Sequence, residues 1–347
     1  MNKSPKLLLI GSSNGNTHLS NYYELIKNEF DEIHVITNKT ISYSQHELLE
    51  FGLRNPFQFI KNIKKLTRII SIFKPSIIHV HQANSYAFMA VLANRSKIPL
   101  VLTTWGSDVL LLPQKGILQR VMVRFVLKKA TVITADAHFM AEAIQKLIGK
   151  KEVEIINFGI NLVSPKSSVE RKKIIFSNRM HTSLYNIDQV IFQVKEFLVK
   201  QRDWKLIIAA EGEQTNSLKK IVREEFLEQY VEFVGFLAKE ENLYYYSSAM
   251  FYISIPKSDG TSISLLEAMA YGCIPITSDL PANKEWINHL ENGIISNGNL
   301  SDDLELAMKM DQKTIELRNK VIIEERATKE TNKRLFSAIY DELNRPI

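Results

Sequence analysis

Short runs of β-branched residues alternate with longer helical patterns from end to end of this chain. That alternation restricts it to repeated βα units built around parallel sheets. Strands are expected at 6–10, 33–37, 77–80, 100–103, 131–134 and 153–156, and again at 173–177, 205–209, 231–234, 251–255, 274–277 and 293–295. Between the two sets, 164–170 (SPKSSVE) is polar, holds one proline and lacks an apolar period, so it reads as an interdomain linker. The length of 347 residues suits two domains, each large enough for its own core. The expected class is α/β: two Rossmann-like, doubly wound domains, 1–163 and 171–327, facing a central cleft. The last segment, 328–347, has an amphipathic helix pattern with no strand after it and is expected to pack back on the N-terminal domain.

Cysteine usage and charge narrow the function. A single cysteine, Cys273, can form neither an internal disulfide nor a Cys-rich zinc site, which fits a reducing cytoplasm. The apolar run at 7–10 is too short for a signal-peptide core, and the charge-poor stretch 75–94 is too polar for a membrane span. The formal net charge is +6, unevenly spread: residues 1–170 carry 21 Lys and Arg against 12 Asp and Glu, the remainder 23 against 26. An anionic partner is therefore expected for the first half only.

Ligands of doubly wound sheets bind at the carboxyl ends of the strands, so the residues following each strand are the candidates. After the first strand comes Gly11-Ser-Ser-Asn-Gly15-Asn-Thr-His18, and after the fourth Thr104-Trp-Gly-Ser-Asp108. In the second half Asn178-Arg179 follows the first strand and Pro256-Lys257-Ser-Asp259-Gly260-Thr261 the fourth. The stretch 255–277 (IPKSDGTSISLLEAMAYGCIPIT) is the most informative. A turn leads into a helix that sets Glu267 among Leu265, Leu266, Ala268, Met269 and Ala270, with Ile263 one turn earlier. A carboxylate in such company needs hydrogen-bond donors. A ribose diol would supply two, and an internal Arg or Lys is the structural alternative. Backbone N–H groups at the helix start, from Gly260 to Ile263, could receive phosphate or sugar oxygens.

The spacing Asp259-x7-Glu267, followed by Ala-Met-Ala-x-Gly-x-Ile-Pro, resembles the Glu-x7-Glu block of retaining glycosyltransferases of family 4, which have the GT-B fold. Further resemblances fall in order along the chain. Pro75-Ser-Ile-Ile-His-Val-His81 is similar to that family's PDIIHVH strand, and Asn157-Phe-Gly-Ile-Asn161 to its NGVD segment. Phe176-Ser-Asn-Arg179 takes the place of VGR, Val231-Glu-Phe-Val-Gly235 that of VxFxG, and Asn292-Gly293 that of the final NG. The resemblance implies transfer of a sugar, with retention, from a nucleoside-diphosphate-sugar (UDP favoured over GDP) to a glycan or lipid-linked saccharide in bacterial surface polysaccharide or lipopolysaccharide synthesis. It implies that Glu267 binds the ribose, Asp259 the hydroxyls of the transferred sugar, and Arg179 the diphosphate. Backbone groups of Gly260, Thr261, Ser262, Ile263, Ser264 and Leu265 would approach the phosphates and sugar. No cofactor is expected beyond the donor, and because no Asp-x-Asp pair occurs, magnesium is not expected to be essential.

Two departures bear on the donor. Where the family has a Lys-Gly pair this chain has Tyr185-Asn186, leaving Lys257 and His181 as candidates for a second diphosphate cation. Its T-x-H-G segment reads Thr103-Thr104-Trp105-Gly106, and Asp259 is one methylene shorter than the usual Glu. Gly15 is expected to let backbone approach the donor phosphate or the acceptor. His18, His81 and Asp108 are acceptor-side candidates, with a structural role the alternative for each histidine.

Two acid-free segments explain the charge asymmetry. Residues 51–76 contain Arg54, Lys61, Lys64, Lys65, Arg68 and Lys74, with Phe59, Ile60, Ile63, Leu66 and Ile70 at helical spacing. Residues 109–135 contain Lys115, Arg120, Arg124, Lys128 and Lys129 among Ile117, Leu118, Val121, Met122, Phe125 and Val126. Basic amphipathic helices of this kind suit an anionic membrane surface, unless their apolar faces simply pack on the sheet. The competing functions are a nucleotide-sugar isomerase on the same fold and a nucleic-acid-binding protein. No basic-aromatic stacking motif or recognition helix supports the latter, so no nucleic-acid partner is expected.

Overall fold

The computed structural model describes residues 5–12, 18–163 and 170–345. The chain divides into two compact units, one comprising Met1–Phe158 with Lys329–Ile347, the other Gly159–Thr328. The boundary thus falls at Phe158 rather than at 163. The reason lies in residues 159–163: Ile160 bridges Thr328 and is buried in the second unit's core, while the Tyr271 hydroxyl accepts from the Val163 amide at 2.9 Å and donates to the Asn161 carbonyl at 3.3 Å. Of the expected linker, 164–169 lies outside the described residues.

The first unit holds β1 (Lys6–Ile10), β2 (Glu32–Thr37), β3 (His46–Leu48), β4 (Ile77–His81), β5 (Leu100–Thr103), β6 (Val132–Ala135) and β7 (Glu154–Ile155). Their order in the sheet is β3-β2-β1-β4-β5-β6-β7, all pairs parallel. The second holds β8 (Lys172–Ser177), β9 (Lys205–Ala209), β10 (Val231–Gly235), β11 (Ala249–Ser254), β12 (Ile274–Ser278) and β13 (Ile294–Ser296), ordered β10-β9-β8-β11-β12-β13 and also parallel. Both sheets are covered on their two faces, which is why central strands such as Leu7 to Ile10 and Phe251 to Ile253 are wholly buried. In each sheet the strand order reverses once, between β1 and β4 and between β8 and β11. Those reversals are where crevices for ligands open.

The helix Lys329–Asn344 completes the first unit. Its Tyr340 hydroxyl meets the Tyr22 hydroxyl and lies 2.7 Å from His79 Nδ1, while His79 Nε2 shares a hydrogen bond with Thr103 Oγ1 at 2.7 Å. Burial holds the His79 imidazole well below its ordinary pKa, with the neighbouring His81 adding to the effect, so His79 is a neutral link between sheet and helix.

Helices Pro56–Phe73 and Ile117–Lys129 flank Ser85–Ala93, whose Phe88 ring meets Phe59 at 5.9 Å and Phe125 at 5.7 Å. Leu66, Ile70 and Val126 are buried, as packing on the sheet requires. The first turns are not: Phe57 is 86% exposed, Ile117 81% and Leu118 82%, with Ile60 and Val121 more than half exposed. Among the described residues no helix is long and apolar enough to cross a membrane.

Candidate active site

The reversal between β8 and β11 brings Arg179, two residues beyond β8, against the turn that follows β11. The chain leaves β11 through Pro256 and re-enters a helix at Ile263–Ala270, capped by Ser262, whose hydroxyl accepts from the Leu265 amide. The buried Arg179 guanidinium points into this turn. Its Nη1 donates to the Ser262 hydroxyl and, at 2.8 Å, to Ser264 Oγ, and its Nη2 pairs with Asp259 Oδ2 at 2.6 Å. Asp259 Oδ1 in turn accepts from the Gly260 amide at 3.1 Å. Burial raises the Asp259 carboxyl above its ordinary pKa, and the Arg179 charge offsets part of that rise. The result is a cation fork clamped to the start of a helix, which is the arrangement an oxyanion needs.

Glu267 lies on the same helix, half-buried. The structural alternative, a pairing with an internal Arg or Lys, is not what the fold supplies: the Tyr246 hydroxyl hydrogen-bonds Glu267, and Lys239 acts on it only through its field. Asn178 Nδ2 donates to the Tyr246 hydroxyl at 2.7 Å and to Asn242 Oδ1 at 3.0 Å, and the Tyr252 hydroxyl donates to Asn178 Oδ1 at 3.3 Å. Burial raises the Glu267 carboxyl. Ile263, expected to share the apolar face of Glu267, is instead 39% exposed, because the helix turns that side outward at its first residue.

The Tyr185-Asn186 departure has a local explanation. Asn186 has φ +53°, the left-handed conformation that glycine or asparagine accepts most readily, and its Nδ2 donates to the Ile255 carbonyl at 3.0 Å. Tyr185 lays its ring under Arg179, 4.3 Å from the guanidinium carbon. Lys257 has its backbone amide on the Leu184 carbonyl at 2.8 Å and its side chain exposed. His181 is spent on structure: Nε2 donates to the Ala209 carbonyl at 3.2 Å, Nδ1 accepts from Thr215 Oγ1 at 2.8 Å, and burial lowers its pKa, so it brings no positive charge. Tyr246 and the stacking role of Tyr185 have no signal in the sequence beyond the aromatic run 244–246.

The N-terminal part of the chain, residues 6–137, matches the family model "Glycosyl transferase 4-like", and residues 161–328 match "Glycosyl transferases group 1". The chain belongs to the family 4 glycosyltransferases. It is 27% identical over 233 residues to N-acetyl-alpha-D-glucosaminyl L-malate synthase of Bacillus anthracis, an alignment covering 63% of this chain and 60% of that protein. It is 25% identical over 254 residues to alpha-monoglucosyldiacylglycerol synthase of Streptococcus pneumoniae, covering 66% and 57%. These alignments span less than two thirds of the relatives' own length. The fold is GT-B: the Anabaena protein HepE, solved in complex with UDP, superposes with a TM-score of 0.81 at 14% identity, covering 97% of this chain and 100% of that one.

On the other unit of this family 4 glycosyltransferase, the acceptor-side candidates sit at strand ends around the β1/β4 reversal. His81 ends β4, is fully buried, and accepts at Nδ1 from Trp105 Nε1 at 3.1 Å. A Cβ on Gly11 would come within 2.8 Å of the Leu19 side chain and 3.4 Å of His81 Cβ, so that crevice floor is tight. Asp108 is 3% exposed and accepts from the Ala83 amide at 2.6 Å (Oδ2) and the Trp105 amide at 3.0 Å (Oδ1), tying the loops after β4 and β5 together. Burial raises its pKa, partly against those amides. Helix His18–Ile26 begins at His18, whose side chain lies outside the described residues, as does Gly15.

Proposed function

We propose that this chain is a retaining glycosyltransferase that moves a sugar from a nucleoside diphosphate, UDP rather than GDP, to a glycan or lipid-linked saccharide of the bacterial surface, without a metal. The observation that carries the reading is the junction of Arg179 with the capped start of helix Ile263–Ala270, flanked by Asp259 and Glu267. A departing nucleoside diphosphate gains negative charge, and a fork of N–H donors beside helix-start amides stabilises that charge as it forms. On donor binding Arg179 exchanges its serine and Asp259 partners for phosphate oxygens, which releases Asp259 toward the hydroxyls of the transferred sugar. Glu267, steadied by Tyr246, accepts from the ribose diol. Tyr185 keeps Arg179 in plane in place of a second cation, and Lys257 stands at the rim.

The acceptor is received by the first unit, where buried His81 holds Trp105 beneath the crevice and Asp108 fixes the loop shape. The exposed first turns of helices Pro56–Phe73 and Ile117–Lys129, with their neighbouring cations, rest on an anionic membrane surface at the cytoplasmic face. UDP being the nucleotide held by HepE supports the choice of base. Thermal melting of the full chain with UDP, with GDP and with UDP plus EDTA tests the donor reading. UDP should raise the midpoint with or without the chelator, and Arg179→Ala should weaken that shift and depress turnover more than folding. No shift with UDP, or loss of activity in EDTA, would overturn it.

A further inference from the structure

The first unit contains a cavity of about 530 Å³ that the donor chemistry does not use, lined in part by Asn38, Glu50, Phe51, Gly52, Ser85 and Tyr86. We propose that it receives the neutral saccharide of the acceptor, an inference that rests on the glycosyltransferase reading above.

Position is the first ground. Asn38 directly follows β2, Leu49 and Glu50 follow β3, and Ser85 opens the helix that follows β4, so the cavity opens at the carboxyl ends of three strands. Chemistry is the second. In the unit with the excess of cations, no Lys or Arg lines this cavity, whereas one carboxylate (Glu50), one side-chain amide (Asn38) and two hydroxyl-bearing residues (Ser85 and Tyr86) do. That set disfavours phosphate and suits a hydroxyl-rich, uncharged ring. Phe51 and Tyr86 meet edge to face at 4.3 Å, an apolar corner against which the C–H face of a sugar can lie.

Rigidity is the third ground. Asn62 is an almost fully buried amide within helix Pro56–Phe73. It donates to the Glu50 carbonyl at 2.6 Å and accepts from Gln58 Nε2 at 3.0 Å. The Leu49 amide donates to the Thr37 carbonyl at 2.8 Å and Lys65 Nζ to the Leu48 carbonyl at 3.1 Å. Every residue from 48 to 50 is thus held by its backbone, and the wall is set before a ligand arrives. Leu53 and Phe57, both exposed, follow Gly52 closely, so the saccharide of a lipid-linked acceptor would sit beside the surface assigned to the bilayer.

The test is saturation-transfer NMR on the full chain with UDP present throughout. The probes are methyl α-glucoside, methyl α-mannoside, methyl α-galactoside, N-acetylglucosamine and, as the charged control, glucose 6-phosphate. At least one neutral sugar should receive saturation, reduced fivefold or more in Glu50→Gln and in the cavity-filling Ser85→Trp, with the UDP melting shift unchanged in both. Glu50 is exposed, so its variant folds even if Ser85→Trp does not. Equal saturation in wild type and Glu50→Gln, no saturation in a chain that UDP still stabilises, or preference for glucose 6-phosphate would each overturn the assignment. A chain that UDP fails to stabilise would instead overturn the donor reading.

Discussion

Glu267 shows how a single residue can work against the fold that carries it. Burial raises its carboxyl, and the Tyr246 hydroxyl and the Lys239 charge only partly oppose that. A carboxyl whose folded pKa lies above its unfolded value contributes stability below the unfolded value, and that contribution is lost as pH rises through the folded one. At pH 7 the Glu267 charge therefore costs stability, a cost that the proposed contact with the ribose would account for. Glu267→Gln should leave the free protein at least as stable at pH 7 while weakening UDP by about 1.5 to 3 kcal/mol. Calorimetric titration checks this, and an unchanged UDP affinity would remove Glu267 from the ribose. Arg179, Asp259 and Glu267 were legible as candidates in the sequence because two of them share one short block and the third follows a strand at a readable place. Tyr246 and Tyr185 were not, because they reach the site from other helices and loops through packing alone. His181 looked like a cation and is neutral, since nothing in its neighbours along the chain announces its burial.

At the scale of elements, the helix carrying Glu267 is fixed by how it stops. Gly272 ends it with φ +85°, and any Cβ there would collide with the Arg171 guanidinium and with the Glu316 side chain. Arg171 Nη1 meanwhile donates to the Tyr246 carbonyl at 2.9 Å and the Ala249 carbonyl at 2.8 Å, and Nη2 donates to the Tyr271 carbonyl. Gly272→Ala should cost about 2 to 4 kcal/mol, combining left-handed strain with displacement of a partly buried donor, and denaturant unfolding would measure it. A loss below about 1 kcal/mol would show that Arg171 moves freely. The sequence pattern located most strands but not β3, whose three residues His46, Glu47 and Leu48 include no β-branched side chain and sit at the sheet edge. Periodicity likewise marked helices Pro56–Phe73 and Ile117–Lys129 without showing that their first turns overhang the sheet.

For the whole molecule, the charge asymmetry and the exposed first turns point the same way. Attraction to an anionic surface is worth about 1 kcal/mol for each Lys or Arg near it and is screened over about 8 to 10 Å near physiological salt. The protein should sediment with anionic vesicles, less so as salt rises, and poorly with neutral ones. Replacing Lys61, Lys64, Arg68 and Lys115 by Gln should release it while the UDP melting shift stays, because the donor residues belong to the other unit. Equal sedimentation with both vesicle types would confine these helices to the fold.

The helix Lys329–Asn344 has a consequence for how such a chain is made. The first unit is discontinuous: its closing helix is encoded after the entire second unit. On the ribosome the β1 to β7 sheet emerges early with the His79 and Tyr22 side of its core uncovered, and it stays so until some 170 further residues have been translated. The second unit, continuous from Gly159 to Thr328, has all its strands in hand before then. Synthesis order and completion order are therefore reversed, with the half made first being the last to close.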